Sequence, residues 1–361
     1  MPSGVTLEAA VFAAAAAIDG RDVDAACDPA VVVERAIVHR VSALLAHSGW
    51  SRTLPPEDAA RLDEDVRLSA VHAAVLDREL EHLLAWLGDR GVTPLVTKGA
   101  HLAHLVYSSP ARRPRTDTDL LIAPASKSTT MEVLTAHGYS RSARTSGAVI
   151  LGQFEFERRL RSGVTHYVDV HWRPVAPLIF ERAFDLRGLS AAAAAIPALG
   201  PHARGPSLPD ALALACVHLV AHHWHQILLV WLYDIRLLAD AIDERGRRHL
   251  VDRAIAGSYT VVLTAALRTA RQYFQSAGLD RAIAAIAPHV NEGEAAAAFT
   301  RDGRRKVDDL WLDLRHAPWR QRAQLLREHV LPPPDYMRAR FGGPVPLAYA
   351  KRVLRGVRNW F

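Results

Sequence analysis

Cysteine is nearly absent from this sequence. Two occur in 361 residues, Cys27 and Cys216. They sit far apart and match no metal-ligand spacing, which excludes a cysteine-built metal site and makes a reducing cytoplasm the expected compartment. The opening Met1-Pro-Ser-Gly-Val-Thr-Leu-Glu lacks the positive n-region of a signal peptide, and the alanine-rich run behind it ends in Asp19 and Arg21. A membrane-length apolar run is missing too. The most apolar window, 211–235, is interrupted by His218, His222, His223, His225 and Asp234, a load that a span of about 20 apolar residues does not carry. It reads as a buried helix, with no transmembrane segment. Basic residues lack a stripe: 44 Lys and Arg stand against 38 Asp and Glu, a net charge of +6. That excess suits an anionic substrate such as a nucleotide, while the scatter of Arg gives no strong nucleic-acid signature. No repeat of fixed period is present.

What is there supports a packed core. Hydrophobic residues make up 50% of the chain and charged ones 23%. Apolar spacing predicts helices over 31–47 and from Pro55-Pro-Glu-Asp to Gly88, so residues 1–90 form an N-terminal helical region. Residues 91–177 change character. Short β-type runs at 93–97 and 118–122 alternate with helices near 102–106 and 126–137, the latter stopped by Gly138. Two strands follow, 149–159 and 164–172, joined by Arg161-Ser-Gly. This is a small α/β unit with a mixed sheet. Residues 178–361 are again helical, with helices over 209–243, 248–277, 281–287, 292–300, 307–312 and 346–361. The fold class expected is α+β, mostly helical, with a small mixed-sheet core flanked by helical regions on both sides.

The chemistry centres on Arg113-Pro-Arg-Thr-Asp-Thr-Asp-Leu-Leu-Ile122. In a strand, residues i and i+2 share a face, so Asp117 and Asp119 present two carboxylates side by side. Like charges so placed need a cation between them, and Mg²⁺ prefers carboxylate, water and phosphate oxygens. Asp169, alternating with Val168 and Val170, supplies a third carboxylate from a neighbouring strand. Three such groups suit a two-metal site for in-line displacement at phosphorus, with Asp169 also placed to act as general base. A bare Asp-x-Asp is more often a solvated turn; here charge runs directly into a core strand, which favours a site at a strand end.

Taken in order, Leu95-Val-Thr-Lys-Gly99, Tyr107-Ser-Ser-Pro110, the Asp-Thr-Asp segment, Asp169-Val-His-Trp-Arg173, Cys216-Val-His-Leu-Val-Ala-His222 and Trp231-Leu-Tyr-Asp-Ile-Arg236 resemble the uncharacterised nucleotidyltransferase family of bacteria. That family is a branch of the polymerase-β-like nucleotidyltransferase superfamily. Leu331-Pro-Pro-Pro, Met337-Arg and the segment 349–355 resemble its C-terminal end, so the similarity runs from about residue 70 onward. The resemblance implies an enzyme that binds an NTP such as ATP and transfers its NMP, with Mg²⁺, to an acceptor. It makes Asp117, Asp119 and Asp169 the metal carboxylates. Lys98-Gly99 occupies the place where the superfamily has a Gly-Ser pair whose backbone N–H groups hold phosphates; a lysine there meets phosphate as a point charge.

Other residues carry weaker expectations. Arg113 and Arg115 are expected to clamp the β- and γ-phosphates; the plain alternative is surface solubility. His218 and His222 share a helix face, but a zinc site needs a third ligand, so lining the cleft is preferred. Asp234 is expected to pair with them or with Arg236. His171 either orients the carboxylate of Asp169 or is a satisfied core histidine. The basic amphipathic segment 350–361 either touches an anionic membrane surface or nucleic acid or packs on its own domain, the simpler reading. The acceptor is expected to be a small molecule, peptide or glycan precursor. The alternatives are a nucleotidylating toxin or modifier acting on tRNA or protein, and a non-catalytic member that binds nucleotide or a partner.

Overall fold

The structure is a computed structural model and describes residues 4–142, 152–301 and 303–360. The chain opens with α1 (Gly4–Ile18), α2 (Pro29–Val38) and α3 (Ser42–Ala46). The single helix expected over 31–47 is two, because Arg40 takes a left-handed backbone (φ 59°) that a continuous right-handed helix does not accommodate. Helix α4 (Pro56–Asp89) begins where expected, with Pro56 at its start and Glu57 and Asp58 in its first turn. Its Leu76, Leu80, Leu83, Leu84 and Leu87 are all at most 1% exposed. They fall on one helical stripe, and burying each contributes about 1.5–3 kcal/mol.

The sheet follows: β1 (Leu95–Thr97), α5 (Lys98–Leu105), β2 (Asp117–Leu121), α6 (Lys127–Ala136), β3 (Ser140–Arg141), β4 (Gln153–Arg159) and β5 (Thr165–His171). Residues 149–151 of the strand expected over 149–159 lie outside the described residues. After α7 (Leu186–Ala191) come two strands that the sequence does not announce, β6 (Ala194–Ala195) and β7 (Arg204–Gly205). They extend the sheet past residue 177, where only helix was expected; two residues are too short for any period to show. The strand order is β3-β4-β5-β2-β1-β7-β6. β2 runs parallel to β5 and β1 parallel to β7, and every other pairing is antiparallel. The fold is thus α+β with a mixed sheet, as expected.

Nine helices complete the described chain: α8 (Leu208–His223), α9 (Leu229–Ala241), α10 (Glu244–Ala256), α11 (Thr260–Tyr273), α12 (Ala277–Ile286), α13 (Lys306–His316), α14 (Trp319–Val330), α15 (Pro334–Phe341) and α16 (Val345–Trp360). The long helices expected over 209–243 and 248–277 are each split, the second at Ser258, whose φ is 53°. The stretch 292–300 contains a 3-10 turn, Ala295–Thr300, in place of an α-helix.

Alternation sorts the two faces of the sheet. Val96, Leu120, Phe156, Val168 and Val170 pack against the leucines of α4 and against Val133 and Leu134 of α6. A larger helical core joins α1–α3 to α8–α12, with Val33, Leu45, Leu212, Leu232, Val262 and Leu267 fully buried. The N-terminal helices are therefore shared out: α4 backs the sheet, and α1–α3 belong with the later helices. Helix α16 packs on its own region, since Tyr349 donates to the carbonyl of Pro332 and Arg352 to that of His329. Among the described residues no helix is long and apolar enough to cross a membrane.

Candidate active site

The face of the sheet turned away from α4 carries the polar row. β2 pairs with β5 so that Asp119 lies opposite Asp169, and Asp117 opposite Tyr167. On the outer flanks Thr97 lies opposite Asp119 and Glu155 opposite Asp169. Four strands thus align Thr97, Asp119, Asp169 and Glu155 in one row. Two residues from Asp119, and so on its face, stands Asp117; His171 bears the same relation to Asp169. From the other face, Thr118 Oγ1 lies 2.9 Å from His166 Nε2, and Tyr139 Oη lies 2.7 Å from His166 Nδ1. These bonds tie β2 to β5 from behind and keep the register.

Lys98 follows directly on β1 and begins α5. Its ammonium lies 2.5 Å from Asp119 Oδ1, and His171 Nε2 lies 2.8 Å from the same oxygen. Lys98 holds a left-handed φ of 50°, which for a residue with a Cβ costs about 1–3 kcal/mol. Glycine would adopt this backbone without that cost. Gly99 has an ordinary φ. A Cβ there would meet Arg115 Cβ at 3.4 Å and Arg113 Nη1 at 3.6 Å, which is normal contact.

The charges are strongly unequal. Burial pushes the Asp119 carboxyl up, but the Lys98 ammonium and the His171 hydrogen bond outweigh it and hold it well below the usual range. Burial, and then the Asp119 charge, drives Asp169 well above that range. Asp117 is raised by burial and by Asp119, against the pull of Lys98, Arg40 and Arg113. Lys98 stays above the ordinary lysine value because Asp119 outweighs the effect of burial. Two carboxylates sharing a site do not both ionise without a cation.

Several residues lie elsewhere than expected. Arg113 does not face the solvent: Nε and Nη2 donate to the two oxygens of Asp234, each at 2.7 Å, and Nη1 donates to the carbonyl of Pro114. Tyr107 donates to Asp234 as well, at 2.8 Å. Asp234 therefore pairs with Arg113, and neither with the histidines nor with Arg236, which faces Asp19 and Asp240. The fork matches a carboxylate, and the chain supplies one from α9 before any ligand arrives. Arg115 is similarly engaged, 2.6 Å from Asp77 of α4. His218 is bonded to His223 at 3.2 Å, and its ring lies 5.2 Å from that of His222. Burial, and then Lys98, lowers the pKa of His218.

One group among the described residues brings three metal-capable donors within 4.8 Å of one another: Asp119, Asp169 and His171. His171 thus joins the donor set, beyond the orienting or core role expected of it. Two carboxylates and an imidazole suit a divalent cation, and the raised Asp169 marks a place short of positive charge. Sequence reasoning did not single out Arg40, 77 positions before Asp117 and in no motif, whose charge pulls the Asp117 carboxyl down. A hollow of about 770 Å³ between α4 and the β4–β5 turn, lined by Arg78, Arg158, Arg159 and Arg161 among others, contains none of the carboxylate row.

The carboxylate row thus crosses β2 and β5 in the middle of a mixed sheet. The family model described as "Uncharacterised nucleotidyltransferase" matches residues 26–275, and the chain belongs to that family. The match starts earlier than the motifs suggested and ends before α12, so the C-terminal segments 331–355 lie outside it. Curated protein sequences gave no match. Among solved structures, an antigenic nucleotidyltransferase-like protein from Paracoccidioides brasiliensis is similar at 13% identity and a TM-score of 0.35, over 56% of this chain and 94% of that one.

Proposed function

We propose that this protein transfers an NMP from an NTP to a hydroxyl or phosphate oxygen of an acceptor: a small molecule, a peptide or a glycan precursor. The observation that carries the reading is the register that sets Asp119 opposite Asp169, with Asp117 and His171 on the same face. Asp117, Asp119 and Asp169 would hold Mg²⁺, two ions in the fullest arrangement, with His171 beside them; the metal supplies positive charge against the phosphates. Lys98 holds Asp119, and with a cation bound to that carboxylate its ammonium would be free to meet phosphate. The N–H of Gly99, at the start of α5, would add a backbone donor to the phosphates. In the transfer, the acceptor oxygen forms a bond to the α-phosphorus, the bond to the β-phosphate oxygen breaks, and pyrophosphate leaves. Asp169 takes the acceptor's proton.

The reading is tested by incubating the protein with Mg²⁺, each labelled NTP and cell extract. Label in small molecules or peptides supports it, and release of no pyrophosphate with any NTP opposes it. A macromolecular acceptor is the second reading. Label in tRNA or a protein band would select it. A peripheral contact of α16 with an anionic surface is supported by Lys351 between the exposed Leu347 and Leu354. Sedimentation with acidic lipid vesicles tests that contact.

A further inference from the structure

The two ends of the carboxylate face differ in charge. At the β1 end stand the Lys98 ammonium and the backbone donors that open α5. The β4 end is acidic. Residues i and i+2 of a strand share a face, so Gln153, Glu155 and Glu157 of β4 stand beside their register partners His171, Asp169 and Tyr167 of β5. The arginines that follow on β4 are turned elsewhere. Arg158 alternates to the other face and is tied to Glu79 of α4, and Arg159 lines the hollow beside that helix.

Glu155 lies directly opposite Asp169, and such cross-strand pairs hold their Cβ atoms about 4.5–5.5 Å apart. It is half-buried, and its Oε1 is screened from solvent with no hydrogen-bond partner among the described residues. A carboxylate oxygen is costly to bury without a donor, and a donor carried by a ligand removes that cost. The reaction sets the ends as well. In an in-line displacement the attacking and leaving oxygens stand on opposite sides of the phosphorus. Neighbouring strands are about 4.8 Å apart, so the row from Thr97 to Glu155 spans roughly 14 Å. With pyrophosphate leaving beside Lys98 and α5, the acceptor enters from the β4 side.

We infer that the acceptor docks at the β4 end of the row, where Glu155 accepts a hydrogen bond from it, and that it is a neutral or cationic molecule bearing hydroxyl groups and no phosphate. This rests on the nucleotidyl-transfer reading and narrows it. A phosphate acceptor would set its anionic oxygens against Glu155 and Glu157, a like-charge contact that disfavours it. One hydroxyl oxygen of the acceptor forms the bond to the α-phosphorus, its proton passes to Asp169, and pyrophosphate leaves. A second hydroxyl, or an ammonium group, donates to Glu155, which thereby selects the acceptor.

The test uses the full chain in three forms: wild type, Glu155→Gln and Glu155→Ala. Each is incubated with Mg²⁺, each NTP labelled at the α-phosphorus in turn, and cell extract with or without prior treatment by alkaline phosphatase, which is removed before the NTP is added. The expected result is the same labelled product from both extracts, a phosphodiester by ³¹P NMR. The half-saturating amount of extract should rise by roughly tenfold to a hundredfold in Glu155→Ala, and less in Glu155→Gln. Calorimetry with non-hydrolysable NTP analogues should give similar affinities for all three forms. Thermal midpoints without ligand should be unchanged or raised, because each substitution removes an unpaired carboxylate. Label lost with the phosphatase, a pyrophosphate linkage or label in RNA overturns the inference. Equal half-saturation in wild type and Glu155→Ala overturns it too, as does a lowered midpoint in both variants, which marks a structural role. Absence of label and of pyrophosphate release by wild type with every NTP counts against the nucleotidyl-transfer reading itself, and so is told apart from a failure at Glu155 alone.

Discussion

The ammonium of Lys98 sits 2.5 Å from Oδ1 of Asp119, on a backbone twisted into the left-handed region at φ 50°. The contact and the strain oppose each other, and substitution separates them. Lys98→Ala removes the cation from a 4%-exposed carboxylate side chain and keeps the strain. Lys98→Gly removes both. Denaturant titration without metal is expected to show both variants less stable than wild type, with Lys98→Gly above Lys98→Ala by about 1 kcal/mol. Equal stabilities for the two would mean that the backbone at 98 is not strained.

The pairing of Arg113 with Asp234 is a structural joint between the loop before β2 and helix α9. Both side chains are at most 6% exposed, so removing one partner leaves a buried charge alone. Asp234→Ala is expected to lower stability by about 3–5 kcal/mol. A double variant, Arg113→Met with Asp234→Leu, should recover a large part of that loss, and a double-mutant cycle measures the coupling. Full stability of Asp234→Ala would contradict the joint.

Stability should also depend on pH through histidines that fold in the neutral form. Burial lowers His101 to about 4 and His166 to about 3, against an ordinary value near 6.5. Between those limits the unfolded chain binds protons that the folded chain does not. The stabilisation is therefore complete above about pH 6.5 and is lost as pH falls below it, steeply toward pH 4. Thermal midpoints recorded from pH 7.5 to 4.5 are expected to fall, and a flat profile across that range would count against neutral buried rings.

Gly99 gives a sharper view of the phosphate end of the site. Its φ is ordinary, and an added methyl makes only normal contacts, so Gly99→Ala should fold with an unchanged midpoint. If phosphate approaches the start of α5, the same methyl stands in its way, and the KM for NTP should rise severalfold while the fold is intact. An unchanged KM would place the phosphates elsewhere.

The parts legible in the sequence are those with local causes. Helix α4 announced itself by its leucine stripe and its proline and acidic start, and β2 by two aspartates running into Leu120 and Leu121. Asp169 was placed correctly on a neighbouring strand because Val168 and Val170 alternate around it. What escaped depends on pairs distant in the chain. Nothing near Arg113 says that Asp234, 121 residues later, will occupy its fork, so an exposed phosphate clamp was a natural but different expectation. Arg40 breaks a helix with no glycine or proline to mark the turn; the break is imposed by the docking of His39 on α9. The two-residue strands β6 and β7 carry no period to read.

The central claim is that the row Asp119–Asp169, with Asp117 beside it, performs metal-dependent nucleotidyl transfer. It is tested most directly by NTP turnover in the presence of Mg²⁺, for wild type, Asp119→Asn and Asp169→Asn, each shown by circular dichroism to be folded. The account predicts pyrophosphate release by wild type, its loss on chelation of the metal, and a drop of roughly a hundredfold or more in both variants. Turnover that survives both substitutions at the wild-type rate would contradict it.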